Sequence, residues 1–165
     1  MRIDLNIEEF KKVCNLPDLR NSDMLLARYP VIDALIQDIT SRNVYLSLNR
    51  KSTSEVILTS FRHAFAYFLY ADCIEFLNTN TSGSGIIKST GFADSRTELL
   101  SFEETEKRQR KLELKAYELL QNYLNEKGMK RFQELKLWDD LQRAENENAR
   151  QKILSEGRRC KIALI

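Results

Sequence analysis

The sequence predicts an all-α fold: a helical bundle around two long antiparallel helices, with a small hairpin or extended arm between them and a C-terminal tail. Three observations carry it. From Ser52 to Asn78, the residues Val56, Ile57, Phe61, Ala64, Phe65, Phe68, Leu69, Cys73, Ile74 and Leu77 recur at helical spacing, and Tyr67, Tyr70 and Ala71 widen the apolar surface to nearly the whole circumference. A helix apolar on most sides is the buried centre of a bundle. A second long helical pattern runs from Phe102 to Lys127. Finally, the 165 residues include only five Gly and two Pro, fewer turn residues than an all-β fold needs.

The length fits one domain, divided into a helical bundle over 1–141, with an arm at 79–100, and a C-terminal extension over 142–165. Apolar residues make up 42% and charged residues 30%, with a net charge of +2. That balance argues against a dedicated duplex-binding protein, which carries a lopsided basic face. Arg62, His63 and Asp72 interrupt the most apolar helix, so no run reaches the roughly 20 residues of a membrane span, and no membrane partner is expected. The opening MRIDLNIEEF lacks an apolar signal core, so secretion is not expected. Cys14, Cys73 and Cys160 are scattered, which suits thiols in a reducing compartment and not a disulfide framework or zinc site.

Taken in order, Asn6 reads as the N-cap of a first short helix, with Glu9 at its third position and Leu5 and Phe10 as a hydrophobic staple. Pro17 ends it near Cys14 and Asn15. Asn21, Ser22 and Asp23 start a second segment, with a break or kink expected at Pro30 and with Val31, Ile32, Ala34, Leu35 and Ile39 facing the core. Ser41 to Asn49 is ambiguous between helix, short strand and irregular link, because Val44, Leu46 and Leu48 alternate. Ser52 and Glu55 form a capping box for the central helix.

Asn78 to Gly85 is rich in Asn, Thr, Ser and Gly, which favour turns. Ile86 and Ile87 follow, Gly91 turns the chain, and Phe92 to Leu100 can return antiparallel. A surface loop competes with an arm that reaches a neighbouring chain. Ser101 and Glu104 form a second capping box. Glu103 to Lys111 contains no apolar residue, so these first turns should project beyond the bundle, anchored by Leu112, Ala116, Leu119, Leu120, Tyr123 and Leu124. Gly128 reads as the stop. Met129, Phe132, Leu135, Leu137, Trp138 and Leu141 continue at helical spacing, with Trp138 as a packing anchor. Gly157 ends any helix beyond. Ile162, Leu164 and Ile165 then alternate as a strand with one apolar face, which docks on a neighbour, folds back or stays free.

Little in the chain looks catalytic. His63 is the only histidine and has no Glu three residues before it; there is no P-loop and no GxSxG elbow. The clustered carboxylates Glu103, Glu104 and Glu106 sit among Lys107, Arg108 and Arg110, a solvated face with i,i+4 pairs and not a metal site. No catalytic, cofactor-binding or metal residues are expected. The candidate sites are interface residues of the arm and tail: Ile86, Ile87, Phe92, Ile162, Leu164 and Ile165.

One further pattern is an order of segments. An Ala- and aromatic-rich helix leads through an Asn/Ser/Gly patch into GIIKSTG at Gly85–Gly91, then to AYELLQNYLNEK at Ala116–Lys127 and GMKRF at Gly128–Phe132. From Ile32 to Phe132 this resembles small helical head-to-tail connector proteins of tailed bacteriophages, particularly those of Bacteroides-type phages and prophages. The resemblance implies a structural virion protein, not an enzyme, that forms a homo-oligomeric ring. Its neighbours would be the portal protein and other connector or tail proteins, and DNA would pass through its channel without sequence readout. It would be made in the bacterial host cytoplasm. Residues 145–165 have no counterpart in that family pattern. The alternative is a cytoplasmic helical adaptor or a nucleic-acid-binding regulator acting through Arg143, Arg150, Lys152, Arg158, Arg159 and Lys161.

Overall fold

In a computed structural model of the chain, the backbone is described for residues 5–16, 23–48, 53–80, 87–88, 98–99 and 101–162, with side-chain detail over 5–16, 23–48, 53–74 and 101–152. The described chain is all-α, as its pattern predicts. Six helices follow in order: α1 Ile7–Cys14, α2 Asp23–Ile39, α3 Arg42–Ser47, α4 Glu55–Asn80, α5 Phe102–Leu120 and α6 Glu126–Ile162. A 3-10 turn, Gln121–Tyr123, separates α5 from α6. Between α4 and α5 the described backbone holds two short strands, β1 Ile87–Lys88 and β2 Glu98–Leu99, paired antiparallel with Ile87 opposite Leu99.

α1 forms where its capping chemistry lies. The Asn6 side chain accepts from the Glu9 backbone N–H at 2.7 Å, and Asn15 closes the helix in the left-handed region at φ 54. Leu5 and Phe10, the two residues of the expected staple, are both buried in the core. α2 runs unbroken across Pro30. The bond that proline cannot donate would go to Leu26, and both residues are exposed, so water can satisfy that carbonyl. The inward face of α2 is Leu25, Ile32, Ile36 and Ile39; Val31 and Ala34 turn outward, contrary to the expected core set. The ambiguous stretch is helix α3, with Tyr45 turned into the core and its hydroxyl donating to Asp33 at 2.7 Å.

α4 is the centre. Phe61, Phe65, Phe68, Leu69, Tyr70 and Ile74 are all nearly inaccessible. Each such side chain contributes roughly 1.5–3 kcal/mol on burial. The helix starts later than the Ser52 capping box implies. Ser54 immediately precedes it, its carbonyl accepting from Leu58 N–H at 3.1 Å; Ser52 lies outside the described residues, and Val56 is 75% exposed. Aromatic contacts tie α4 to its surroundings. Phe10 of α1 meets Tyr70 edge-on at 6.5 Å, and Tyr29 of α2 meets Phe65 at 5.0 Å. Phe61 faces Tyr123, Phe68 faces Tyr117 and Tyr70 lies under Arg108, so α4 and α5 run in opposite directions.

α5 keeps its capping box, Ser101 with Glu104. Its polar first turns do not stand clear of the bundle. Thr105 is buried, the Arg108 guanidinium sits 5.6 Å from the Tyr70 ring, and Arg110 sits 5.4 Å from Trp138 of α6. Long basic side chains cover aromatic faces with their stems and keep their charge in water. That is why a stretch with no apolar residue still packs.

Neither Gly128 nor Gly157 stops a helix. α5 ends at Leu120, and Gly128 lies in the first turn of α6, where its N–H donates to the Asn125 side chain at 2.9 Å. A Cβ built there would stand 2.3 Å from the Ile39 carbonyl oxygen, so Gly128 marks a close approach of two chain segments. Gly157 lies inside α6, which continues to Ile162. One interior glycine costs about 1 kcal/mol, which the surrounding Ala, Arg, Gln, Lys, Leu and Glu offset. Arg158–Ile162 is therefore helical and not the extended strand its alternation implied.

Candidate interaction surface

α6 has a root and an extension. The root is fastened by the chain reversal before it. Asn125 receives and gives at once: its N–H donates to the Ile39 carbonyl at 3.0 Å, its amide donates to Asp38 and Thr40 carbonyls, and its side-chain oxygen caps Gly128. Ser41 N–H donates to the Tyr123 carbonyl at 3.0 Å, and Lys127 pairs with Asp38. These bonds weld the end of α2 to the start of α6.

Further along, Phe132 stacks on Tyr117 at 6.4 Å, Leu135 is buried, and Arg131 bridges Glu113 at 3.0 Å. Asp139 is buried and paired with Arg143 at 2.6 Å. Beyond Gln142 every side chain from Arg143 to Lys152 is exposed. The helix nevertheless continues as backbone to Ile162, and the exposed stretch 143–152 alone is about 15 Å long.

A cleft of about 320 Å³ lies between α2, α4, α5 and α6, lined by Val31, Leu35, Phe68, Asp72, Glu113 and Arg131. Its charges are committed. Arg28 grips Asp72 with two bonds, Nε–Oδ2 at 2.6 Å and Nη2–Oδ1 at 2.7 Å, which raises the arginine further above its ordinary pKa. Tyr117 at the cleft wall is pushed up to about 12, chiefly by burial. The cleft presents apolar floor and paired ions, suited to receiving a side chain.

The thiols are equally quiet. Burial raises Cys14 to about 12 and Cys73 to about 11, so neither is a thiolate at neutral pH. His63 is half-buried on α4. Among the described residues no group of three or more His, Cys, Asp or Glu is arranged to hold a metal ion, and no helix is long and apolar enough to cross a membrane.

Of the interface residues expected from sequence, Ile87 sits in β1 and Ile162 is the last residue of α6. Ile86, Phe92, Leu164 and Ile165 lie outside the described residues. Sequence reasoning missed two surfaces. One is the bare extension of α6, signalled by a run of good helix formers with no sustained apolar stripe. The other is the outward face of α2, where Leu26, Ala27, Pro30, Val31 and Ala34 are all exposed. Its signal was a second apolar stripe beside the first. No family model, no curated protein and no solved structure matches this chain.

Proposed function

We propose that this chain is a structural subunit that works by assembly and not by catalysis: a ring component of the head-to-tail connector of a tailed phage, below the portal, extending the channel for DNA. The likeness of the Gly85–Gly91, Ala116–Lys127 and Gly128–Phe132 segments to that family supplies the identity of the assembly. The observation that carries the assembly reading is the division of α6. Residues 143–152 are all exposed, with Arg143 paired to the buried Asp139 at the base of the stretch. Most helical stability in proteins comes from packing an amphipathic face. Such an extension is stabilised by a neighbour. The body supplies the opposite half of the requirement, a rigid root welded to α2 through Asn125 and Gly128.

Light scattering on the purified chain at several concentrations tests this. A particle of many copies and fixed mass supports the connector subunit. A monomer or dimer that binds DNA with steep salt dependence supports the regulator reading instead, with Arg143, Arg150 and Lys152 exposed on α6 as its contacts.

A further inference from the structure

We infer that the side of α5 bordering α1 is a nucleic-acid contact surface, where Arg108, Lys111 and Lys115 meet the phosphates of a DNA backbone without reading its sequence. This deepens the assembly reading above by naming the face turned to DNA, and the two can fail separately. Arg108, Lys111 and Lys115 are at i, i+3 and i+7, which puts them on one stripe of the helix. Arg108, Lys111 and Lys115 are exposed. Elsewhere on α5 the cations are committed: Lys107 pairs with Glu103 and Arg110 with Glu106, both at 2.6 Å. Glu113 is taken by Arg131 at 3.0 Å, and Glu104 accepts from the Ser101 N–H in the capping box. The stripe is different. Among the described residues Arg108, Lys111 and Lys115 make no ion pair, and Glu118, exposed at the far end, is the one uncommitted acid beside them.

The neighbouring helices fix where this stripe lies. The Arg108 guanidinium is 5.6 Å from the Tyr70 ring, which Phe10 of α1 meets edge-on. Lys115 is 5.6 Å from the half-buried Tyr67 ring. Burial raises the Cys14 thiol of α1, and the nearby Lys115 charge works against it. Lys12, exposed on α1, adds a further positive charge on the adjoining helix. The chemistry of the stripe then selects its partner. Protein interfaces centre on apolar and aromatic side chains and are depleted in charge at the core. The exposed large hydrophobics of the described residues are on α2, α3, α6 and the first turns of α4 and α5, and none is on this stripe. A phosphate backbone needs no apolar anchor. From Arg108 to Lys115 is about 10 Å along the helix, the axial rise of about three nucleotides of one strand. The Tyr67 hydroxyl can add a hydrogen bond to a phosphate oxygen. With a net charge of only +2, the chain should bind weakly and with strong salt dependence.

Anisotropy of a labelled mixed-sequence duplex of about 30 base pairs, titrated with the full chain at several salt concentrations, tests this. The unaltered chain should give a log–log salt slope of about −3 or steeper, from three phosphate contacts per copy. Arg108→Gln, Lys111→Gln and Lys115→Gln together should weaken binding at least about 10-fold and flatten that slope by about 3. Lys111→Glu alone should weaken it about 3-fold or more; its side chain makes no contact among the described residues, so loss of fold cannot explain the result. Circular dichroism melts check the triple variant. Lys107→Gln, Arg150→Gln and Lys152→Gln together remove the same charge elsewhere and should leave binding within about 2-fold. If the unaltered chain fails to bind the duplex at low salt, if the triple variant or Lys111→Glu binds unchanged, or if the matched control loses as much, the stripe is not the surface. If poly-glutamate displaces the duplex at equal charge concentration, the partner is an acidic protein and the inference is overturned. The assembly reading stands in each of those cases. If the stripe binds DNA as expected but the chain stays monomeric, the assembly reading falls and this inference holds.

Discussion

α4 and α6 are the two longest helices, at 26 and 37 residues, and they are built on opposite terms. α4 is apolar on nearly every side, and the side chains from Ala64 to Ile74 are mostly inaccessible. It has no freedom to do anything but hold the bundle. α6 gives Gly128, Phe132, Leu135, Asp139 and the half-buried Trp138 to the body, then carries on exposed from Arg143 through Lys152 and as helix to Ile162. The lesson is that helix length and burial are separate properties. The first follows from propensity and the absence of breakers; the second needs an apolar stripe that faces something.

That contrast can be broken hardest at α4. Phe65→Ala is expected to cost about 3–5 kcal/mol in denaturant melts, the usual range for a fully buried aromatic; a loss under about 1 kcal/mol would remove α4 from the centre of the account. The root of α6 comes next. Gly128→Ala should lose about 1–3 kcal/mol even though alanine is the better helix former, because its methyl must displace the Ile39 carbonyl. A stabilised variant would show that this close approach is not a constraint.

Alkaline pH probes the same core. Cys14 and Cys73 have folded pKa values near 12 and 11, above the ordinary 9.0, so the folded state holds their protons longer than the unfolded state does. Their contribution to stability is full below about pH 9 and falls as pH rises toward 11–12, by about 1 kcal/mol per thiol at the midpoint of that window. Urea melts on either side of pH 9 measure it, and Cys14→Ala should flatten the fall. A smaller effect is expected at the cleft rim. Asp72→Ala should cost about 1 kcal/mol, because the Arg28 pair is strong in geometry but partly solvated. On the extension, Glu147→Ala should change the melt of the monomer by under about 0.5 kcal/mol, as exposed sites do.

What was legible in the sequence follows from how local each signal is. The Asn6 cap, the Ser101–Glu104 box and the burial of Phe65 and Phe68 were readable because their chemistry lies within a turn or two of itself. Gly128 was misread because a helix-ending glycine and a close-approach glycine are the same residue, and only the distant Ile39 carbonyl distinguishes them. Val31 and Ala34 were assigned inward because α2 carries two apolar stripes, and spacing alone does not say which one meets α4. Pro30 was read as a break or kink; the helix does not break there, because the lost hydrogen bond falls where water replaces it. The polar turns of α5 looked unpacked because arginine stacking on Tyr70 and Trp138 leaves no apolar trace in the sequence.

The central claim is that the extension belongs to a neighbour and the rest of the chain holds itself. Truncation after Glu145, which keeps the Arg143 pair with the buried Asp139, tests it in one pair of observations, a thermal melt and a solution mass compared with the full chain. The expected result is a melting temperature within about 2 °C of the full chain measured as a monomer, together with a mass that falls from many copies to one. A melting temperature lower by about 10 °C or more, or an assembly that survives the truncation, would contradict it.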